Sequence, residues 1–250
     1  MKHASTICLL LLLLVTGCAG HQEYQGHFHH MDKKERSFKE SDIRFTTNEI
    51  DIAAIGDLLI HERVYNDAWN GEKYDFLSMI NPVQDYLKTP DITMANQETI
   101  MGGEEIGLSD YPQFNSPFDL GDDLQEAGVD IVTMANNHTL DRGEEAIRNA
   151  IAYYEQIDMP YTGSFKSEED QQTIRVLETE EGISVAFLSY TYGTNGIPIP
   201  DGKEYLVNLI DREQIKKDVS EAEKLADVTI VSYHFGQEYQ RLPNQEHKDL

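Results

Sequence analysis

From residue 50 onward, short apolar runs alternate with amphipathic segments, and this alternation restricts the folds open to the chain. The apolar runs at 50–55, 91–95 and 130–135 have the length of buried strands. Residues 119–127 and 143–157 carry apolar side chains at helical spacing. Strands that alternate with helices are typical of a largely parallel sheet with helices outside. The chain is therefore expected to form an α/β domain.

The second half of the chain is richer in strand patterns. We predict a hairpin, a helix and a last strand, which occupy residues 173–190, 211–225 and 228–233. Asp211 is placed to cap the helix because its carboxylate can accept hydrogen bonds from the first turn. A helix is also predicted over residues 75–87, and Pro82 should bend or restart it because proline lacks the backbone donor.

The charge of the chain is strongly negative, with 45 acidic side chains against 20 basic ones and a formal net charge of -25. Such a surface repels nucleic acid, so no nucleic-acid partner is expected. It also repels polyanions, and an anionic ligand would therefore have to bind at a metal ion or a small cationic cluster. The acidity could equally serve only to keep an exported protein soluble.

The first 17 residues resemble a bacterial lipoprotein signal peptide. Residues 7–15 form an apolar run of nine residues, which is shorter than the roughly 20 residues that span a bilayer. The run ends in Val15-Thr16-Gly17-Cys18, which resembles the lipobox before a lipidated cysteine. We expect Cys18 to carry diacylglycerol and palmitate and to anchor the chain in membrane lipid on the extracytoplasmic side. An ordinary signal peptide and a transmembrane anchor are the alternatives.

A polar segment without apolar periodicity follows at residues 18–48 and is expected to tether a domain at 49–250 to the lipid. It contains four histidines, which are His21, His27, His29 and His30. These could bind a metal transiently, or the segment could be a solvated linker. Cys8 lies in the predicted signal peptide. The domain would therefore have no thiol for a disulfide, for catalysis or for metal binding.

Polar side chains follow four of the predicted strands at the points where the strands end. They form four groups: Asp57 with His61; Asn96 with Glu98; Asn136, Asn137 and His138 with Asp141; and His234. Because the carboxyl ends of strands in an open α/β sheet line one crevice, the groups are expected to converge at one edge. Each group taken alone could also be a turn or a helix cap.

The residue types in these groups indicate a metal. A mixture of carboxylate, amide oxygen and imidazole favours Mn, Fe or Zn over Ca or Cu(I). Such a set could hold two divalent ions about 3.5–4 Å apart, with a hydroxide between them as nucleophile. His138 is a candidate metal ligand or catalytic proton donor. Asp141 could act with it by orienting the ring through the second nitrogen.

Four segments together resemble the CapA family of poly-γ-glutamate capsule-synthesis proteins. They are residues 53–57, 95–98, 135–138 and 232–239, which occur in the order and spacing of that family. The family is similar to calcineurin-like metallophosphatases, so the resemblance implies a two-sheet β-sandwich of mixed sheets, flanked by helices. It places the ligands at one end of the sheets. The metal ligands that it implies are Asp57, Glu98, Asn137, His138 and His234.

The sequence departs from the family in two places. The first motif has its histidine only at His61, whereas the phosphatase pattern has one two residues after the aspartate. The family also continues into a further strand and a Gly-His-His-Pro-His type motif, which does not occur in these 250 residues. The domain is therefore expected to be C-terminally incomplete and its metal site to lack histidine ligands.

Three functions are compatible with these features. The first is an accessory role in poly-γ-glutamate synthesis or export, with membrane subunits of the synthase or the cell-surface polymer as partners. The second is a two-metal hydrolase of the metallophosphoesterase type that acts on a phosphoester or amide of a cell-surface polymer. The third is a surface protein that buffers cations. Because a fold does not determine a reaction, the resemblance favours capsule synthesis but does not establish catalysis.

Overall fold

A computed structural model describes residues 49–237 and 239–250 of the chain. The predicted signal peptide, Cys18 and the polar tether lie outside the described residues, and the expectations for them stay predictions. No helix in the described part of the chain is both long enough and apolar enough to cross a membrane.

Strands and helices alternate along most of the described chain. The strands are β1 (Ile52–Ile55), β2 (Ile92–Asn96), β3 (Ile131–Thr133), β4 (Tyr161–Thr162), β5 (Arg175–Glu178), β6 (Ser184–Thr191) and β7 (Val228–His234). The helices are α1 (Glu62–Ala68), α2 (Leu77–Ile80), α3 (Gln84–Lys88), α4 (Asp119–Ala127), α5 (Gly143–Gln156), α6 (Glu168–Gln172), α7 (Arg212–Ala222) and α8 (Gln245–Asp249).

The first sheet contains β1 to β4 in chain order, and every neighbouring pair is parallel. Ala95 of β2 pairs with Ile55 on one side and with Val132 on the other, so these three strands end at the same edge. Parallel neighbours need a crossover connection, and α4 and α5 lie in two of them. The predicted parallel sheet with helices outside is confirmed.

The second sheet contains β5, β6 and β7. β5 and β6 form the predicted antiparallel hairpin, and Gly182 in its turn has a φ of 77°. β7 then pairs with β6 in parallel after the crossover through α7. This sheet is mixed, as expected, whereas the described strands of the first sheet are all parallel. The difference arises because a crossover rather than a tight turn joins each pair in the first sheet.

The two sheets pack against each other through an apolar core. The core consists of Ile92, Met94, Ile131, Val185 and Phe187, which come from β2, β3 and β6. Because alternate residues of a strand face opposite sides, the residues between them in β2 and β3 face away from the second sheet. The architecture is therefore the predicted two-sheet sandwich.

Helices cover the outer face of each sheet. Leu124 of α4 and Ile147 of α5 belong to one large core with Ala95 and Val132 of the first sheet. Ile215 of α7 belongs to a separate core with the outward residues of β6. The layers are thus helix, sheet, sheet and helix, and the inner faces of the two sheets pack against each other.

Several local predictions are confirmed, and three short elements were not predicted. Pro82 lies in a 3-10 turn that separates α2 from α3, and the Asp211 side chain accepts a hydrogen bond from the backbone N–H of Gln214 at 2.8 Å. The elements α1, β4 and α6 were missed. They have seven, two and five residues, which is too short for a clear apolar period.

Candidate functional site

Five of the polar side chains meet at the carboxyl ends of β1, β2, β3 and β7. We call Asp57, Asn96, Glu98, Asn137 and His234 the strand-end cluster. Asn96 and His234 are the last residues of their strands. Both continue the strand face that carries Met94 and Ile230 in the core between the sheets. The cluster therefore closes one end of the sandwich and draws side chains from both sheets.

Asn96 links the first strand to the last. Its side-chain amide donates a hydrogen bond to Asp57 Oδ1 at 2.6 Å and approaches His234 Nδ1 at 3.3 Å. Its own Oδ1 lies 3.4 Å from the hydroxyl of Thr133 on β3. The Asn96 side chain thus contacts groups at the ends of three other strands. Its position on a strand fixes these contacts better than a position on a free loop would.

His234 lies at the centre of the cluster. Its Nε2 is 2.8 Å from Asn137 Oδ1, and its ring stacks on Tyr192 with centroids 6.4 Å apart. Asp57 Oδ1 lies 3.7 Å from Nδ1, and Glu98 Oε1 lies 3.8 Å from Nε2. Each ring nitrogen therefore has a carboxylate within 4 Å.

Burial lowers the pKa of the His234 imidazole from its ordinary value, and the nearby His138 lowers it further, while the charge of Asp57 opposes the shift. The ring is therefore neutral at neutral pH, and its contacts with the two carboxylates are not ion pairs there. With a proton on Nε2, the ring donates to Asn137 and accepts from Asn96. A neutral imidazole is the form that binds metal ions.

His138 and Asp141 form a buried pair beside the cluster. His138 Nδ1 donates to Asp141 Oδ2 at 2.7 Å, and both side chains are almost fully buried. The same oxygen accepts the backbone N–H of Phe114 at 2.8 Å. The second oxygen of Asp141 has no hydrogen-bond partner among the described residues. The pair has the arrangement that the sequence predicted for an oriented imidazole, and its chemical role stays a prediction.

Asn136 and His61 were predicted at the same edge and have other positions. Asn136 is buried, donates to the carbonyl of Gln97 and accepts from the backbone of His138, so it braces the turn. His61 Nδ1 lies 2.7 Å from Asp110 Oδ1, and its ring packs against Phe114, as does the ring of His138. No contact between His61 and Asp57 is present in the described residues.

A cleft of about 230 Å³ opens beside the cluster, between β1 and β7. Its lining residues come from both sheets and include Asp57, Asn96, Thr133, Ser232 and His234. Gly56 also lines it, and a Cβ at that position would meet no atom within 4 Å. The cluster is therefore accessible to a small ion or to part of a larger ligand.

The donor types of the cluster fit a divalent transition metal. Residues 49–237 and 239–250 contain no group of three or more His, Cys, Asp or Glu side chains that could hold a metal ion by themselves. The amide oxygen of Asn137 supplies an additional donor, whereas Asn96 turns its amide nitrogen towards Asp57 and His234. Carboxylate, amide and imidazole together suit Mn, Fe or Zn. Metal binding would require Asn137 Oδ1 and His234 Nε2 to exchange their mutual hydrogen bond for the ion.

Three residues near the cluster were not predicted from the sequence. Asn195 accepts a hydrogen bond from the Asn137 amide at 3.2 Å, Phe114 touches the His138 ring, and Tyr192 stacks on His234. All three lie in long connections between elements. The only signal at Asn195 is its Asn-Gly pair, which indicates a turn and says nothing of a ligand.

Comparisons with known proteins point to one family. The family model described as "Bacterial capsule synthesis protein PGA_cap" matches residues 51–250. The capsule biosynthesis protein CapA of Bacillus anthracis is 26% identical over 131 residues, which are 51% of this chain and 32% of the relative. The PGA biosynthesis protein CapA of Bacillus subtilis (strain 168) is 25% identical over 137 residues, which are 51% of this chain and 33% of the relative.

An uncharacterized protein of Sinorhizobium fredii, y4sH, is 27% identical over 153 residues, which are 57% of this chain and 31% of the relative. The matched region thus spans about a third of the length of these relatives. The family model covers most of this chain, including all the strand ends that form the cluster. The resemblance seen in the motifs is confirmed, and the chain belongs to the PGA_cap family of bacterial capsule synthesis proteins.

Proposed function

We propose that the chain acts in capsule synthesis as an extracytoplasmic protein that binds an anionic polymer, poly-γ-glutamate, through a divalent metal ion at the strand-end cluster. The membrane subunits of the polymer synthase are its proposed partners. The observation that carries the proposal is the position of His234, whose two ring nitrogens each have a carboxylate within 4 Å. The name of the Bacillus subtilis relative, a PGA biosynthesis protein, supports the choice of polymer.

The chemistry follows from charge. A chain with a formal charge of -25 repels a polyanion everywhere except where a local positive charge is held. A divalent ion at Asp57, Glu98, Asn137 and His234 would supply that charge and attract carboxylate oxygens of the polymer. The cleft between β1 and β7 would leave room for the bound group. The ion would then hold the polymer against a surface that is repulsive over most of its area.

A second candidate is a metal-dependent hydrolase, and the His138–Asp141 pair favours it. The pair is buried and oriented, because Asp141 Oδ2 also accepts the backbone N–H of Phe114. With Nδ1 held by the carboxylate, Nε2 of His138 is the nitrogen left to give a proton to a leaving oxygen or nitrogen. A purely polymer-binding domain would not need such a pair.

Metal removal tests the proposal. The purified full chain, equilibrated with Mn²⁺ or Zn²⁺ and then dialysed, should retain about one to two ions. Its affinity for poly-γ-glutamate should fall by at least about tenfold after chelation, because the site loses its positive charge. Metal content is measured by mass spectrometry and polymer binding by sedimentation. A neutral polysaccharide of similar length serves as the control ligand and should bind poorly in both states.

The same samples separate the candidate functions. Polymer length, followed by size-exclusion chromatography, should stay constant if the chain only binds the polymer, whereas metal-dependent shortening would favour the hydrolase. Metal retention without polymer binding would favour cation buffering. Polymer binding of equal strength with and without chelator would contradict the proposed site.

We also propose that Cys18 anchors the chain to the membrane. The motif Val15-Thr16-Gly17-Cys18 supports this. Cys18→Ser should move most of the protein from the membrane fraction to the soluble fraction and abolish labelling with a palmitate analogue, because the only proposed anchor is lost. Fractionation and immunoblotting of bacteria that express either form measure the result. Cys8→Ser is the matched control and should leave the distribution unchanged; membrane retention of the Cys18 variant would exclude the lipid anchor.

A further inference from the structure

A second histidine–carboxylate pair lies near the buried His138–Asp141 pair, with Phe114 in contact with both histidine rings, and has no part in the function proposed so far. His61 Nδ1 donates to Asp110 Oδ1 at 2.7 Å. The two residues are 49 positions apart in the chain, so a loop has been folded back to bring the carboxylate to the ring. Their side chains are 46% and 38% exposed, and the pair is therefore open to a ligand.

Phe114 joins this pair to the buried one. The His61 ring meets the Phe114 ring edge to face with centroids 5.0 Å apart, and the His138 ring does the same at 4.8 Å. The backbone N–H of Phe114 also holds Asp141. One phenylalanine thus sets the positions of two imidazoles, one buried and one exposed, so His61 lies beside the polar groups already described.

The loop that carries Asp110 is held firmly. The Arg142 guanidinium donates to the carbonyls of Ile106 and Gly107 and to the Ser109 hydroxyl, at 2.7, 3.0 and 2.6 Å. The Asn115 amide donates to the carbonyls of Gly103 and Gly107 on the same loop. Asp110 therefore approaches His61 from a fixed position, which is the condition for a preorganised binding group.

The hydrogen bond to Asp110 determines what His61 can still do. With Nδ1 engaged, Nε2 is the ring nitrogen left for a ligand. The backbone N–H of Tyr111 and the hydrogen bond from His61 lower the pKa of the Asp110 carboxyl below its usual value, so the carboxylate stays charged. When both ring nitrogens of His61 carry a proton, its Nε2–H is the donor left for an anionic oxygen, in a charge-assisted hydrogen bond.

We infer that His61 is an anion-binding residue that contacts a carboxylate or phosphate oxygen of the polymer near the His138–Asp141 pair, and that Asp110 positions it. The choice of polymer rests on the proposed function, whereas the contact itself does not require the metal. A polymer with an acidic group on every unit can contact the strand-end cluster and His61 at the same time. Binding at one of them then raises the effective concentration of the polymer at the other.

The test uses nitrogen-15 NMR of the histidine rings in the metal-free full chain. The probes are γ-linked triglutamate and a glycerol phosphate trimer. The His61 ring signals, assigned with His61→Gln, should shift in a saturable way with one of the probes, and the responding probe distinguishes carboxylate from phosphate. The ring of His247 on α8 is bonded to Asn244 and serves as the unmoved reference.

The affinity for poly-γ-glutamate should fall by about fivefold to tenfold in His61→Gln, which removes the charge-assisted contact. Asp110→Asn should weaken binding less and should alter the His61 ring signals even without probe. Unmoved His61 signals with both probes, or full polymer affinity in His61→Gln, would overturn the inference. The proposed function is tested separately, by the metal content of the wild type after equilibration with metal and dialysis. If the wild type retains no metal and His61 still responds to a probe, the metal site is refuted and the inference about His61 stands.

Discussion

Gly163→Ala should lower the free energy of unfolding by about 2–5 kcal/mol, because this glycine combines a left-handed backbone with close packing. Its φ is 91°, and a Cβ would lie 2.7 Å from Ala135 Cβ, 2.8 Å from the Ala135 nitrogen and 2.9 Å from Ser189 Cβ. Two of these contacts are with Ala135, two residues after the end of β3, and one is with Ser189 of β6. Neither neighbour is a flexible side chain that could move away.

The control is Gly196→Ala, which separates backbone strain from crowding. Gly196 has a φ of 80°, and nothing lies within 4 Å of a Cβ there. Gly196→Ala should lower the free energy of unfolding by only about 1 kcal/mol, from backbone strain alone. Urea unfolding of both variants, followed by circular dichroism, measures the difference. An equal loss of unfolding free energy in the two variants would show that crowding at Gly163 adds nothing to the cost of Gly163→Ala.

The position of Gly163 also connects stability to the candidate site. Ala135, the residue that a Cβ would displace, directly precedes Asn136, Asn137 and His138. Asn137 contacts His234, and His138 contacts Asp141. We therefore expect any folded Gly163→Ala protein to bind metal more weakly than the wild type. The close contact of the two sheets is thus a condition for the cluster that spans them.

The positions of the main strands could be predicted because the signal is local. The runs that became β1, β2, β3 and β7 are apolar along their length and end in polar residues, so their ends could be read from the sequence. Their convergence followed from parallel geometry, which places the carboxyl ends at one edge. In the structure Asp57, Glu98, Asn137 and His234 lie close together at that edge, and their role as metal ligands stays a prediction.

Long-range contacts of the connecting loops could not be predicted in the same way. His61 was grouped with Asp57 because it is close in the sequence, yet its partner is Asp110. Asn136 was grouped with Asn137, yet adjacent residues of a turn point in different directions, and only Asn137 reaches His234. Phe114 and Asn195 carry no sequence signal of a ligand-binding residue. Such contacts depend on how loops cross the end of the sandwich, which periodicity does not encode.

His234→Ala should lower the affinity for the divalent metal by more than about 100-fold. Removing a residue that only supports a metal ligand costs about 10-fold to 100-fold in affinity, and here a proposed ligand itself is removed. His234 is the one residue of the strand-end cluster that supplies nitrogen donors, and its ring bridges the two carboxylates of Asp57 and Glu98. Without it, the remaining donors are oxygens, which favour Mg or Ca over Zn. The variant should therefore change metal preference as well as affinity.

Competition titrations with a metal-sensitive dye on the purified chain measure both effects. The control is Asp91→Ala, which removes a carboxylate that accepts the Asp51 N–H at 2.7 Å at the opposite end of β1 and β2. It should leave metal affinity unchanged.

The pH dependence provides a second check: burial lowers the pKa of His234, so the wild type should keep its metal to a lower pH than an exposed histidine would allow and should lose it as protons occupy the ring. Equal zinc affinity in His234→Ala and the wild type would mean that the imidazole is a structural link between the sheets, because its contacts with Asn96 and Asn137 would then account for its position without a metal.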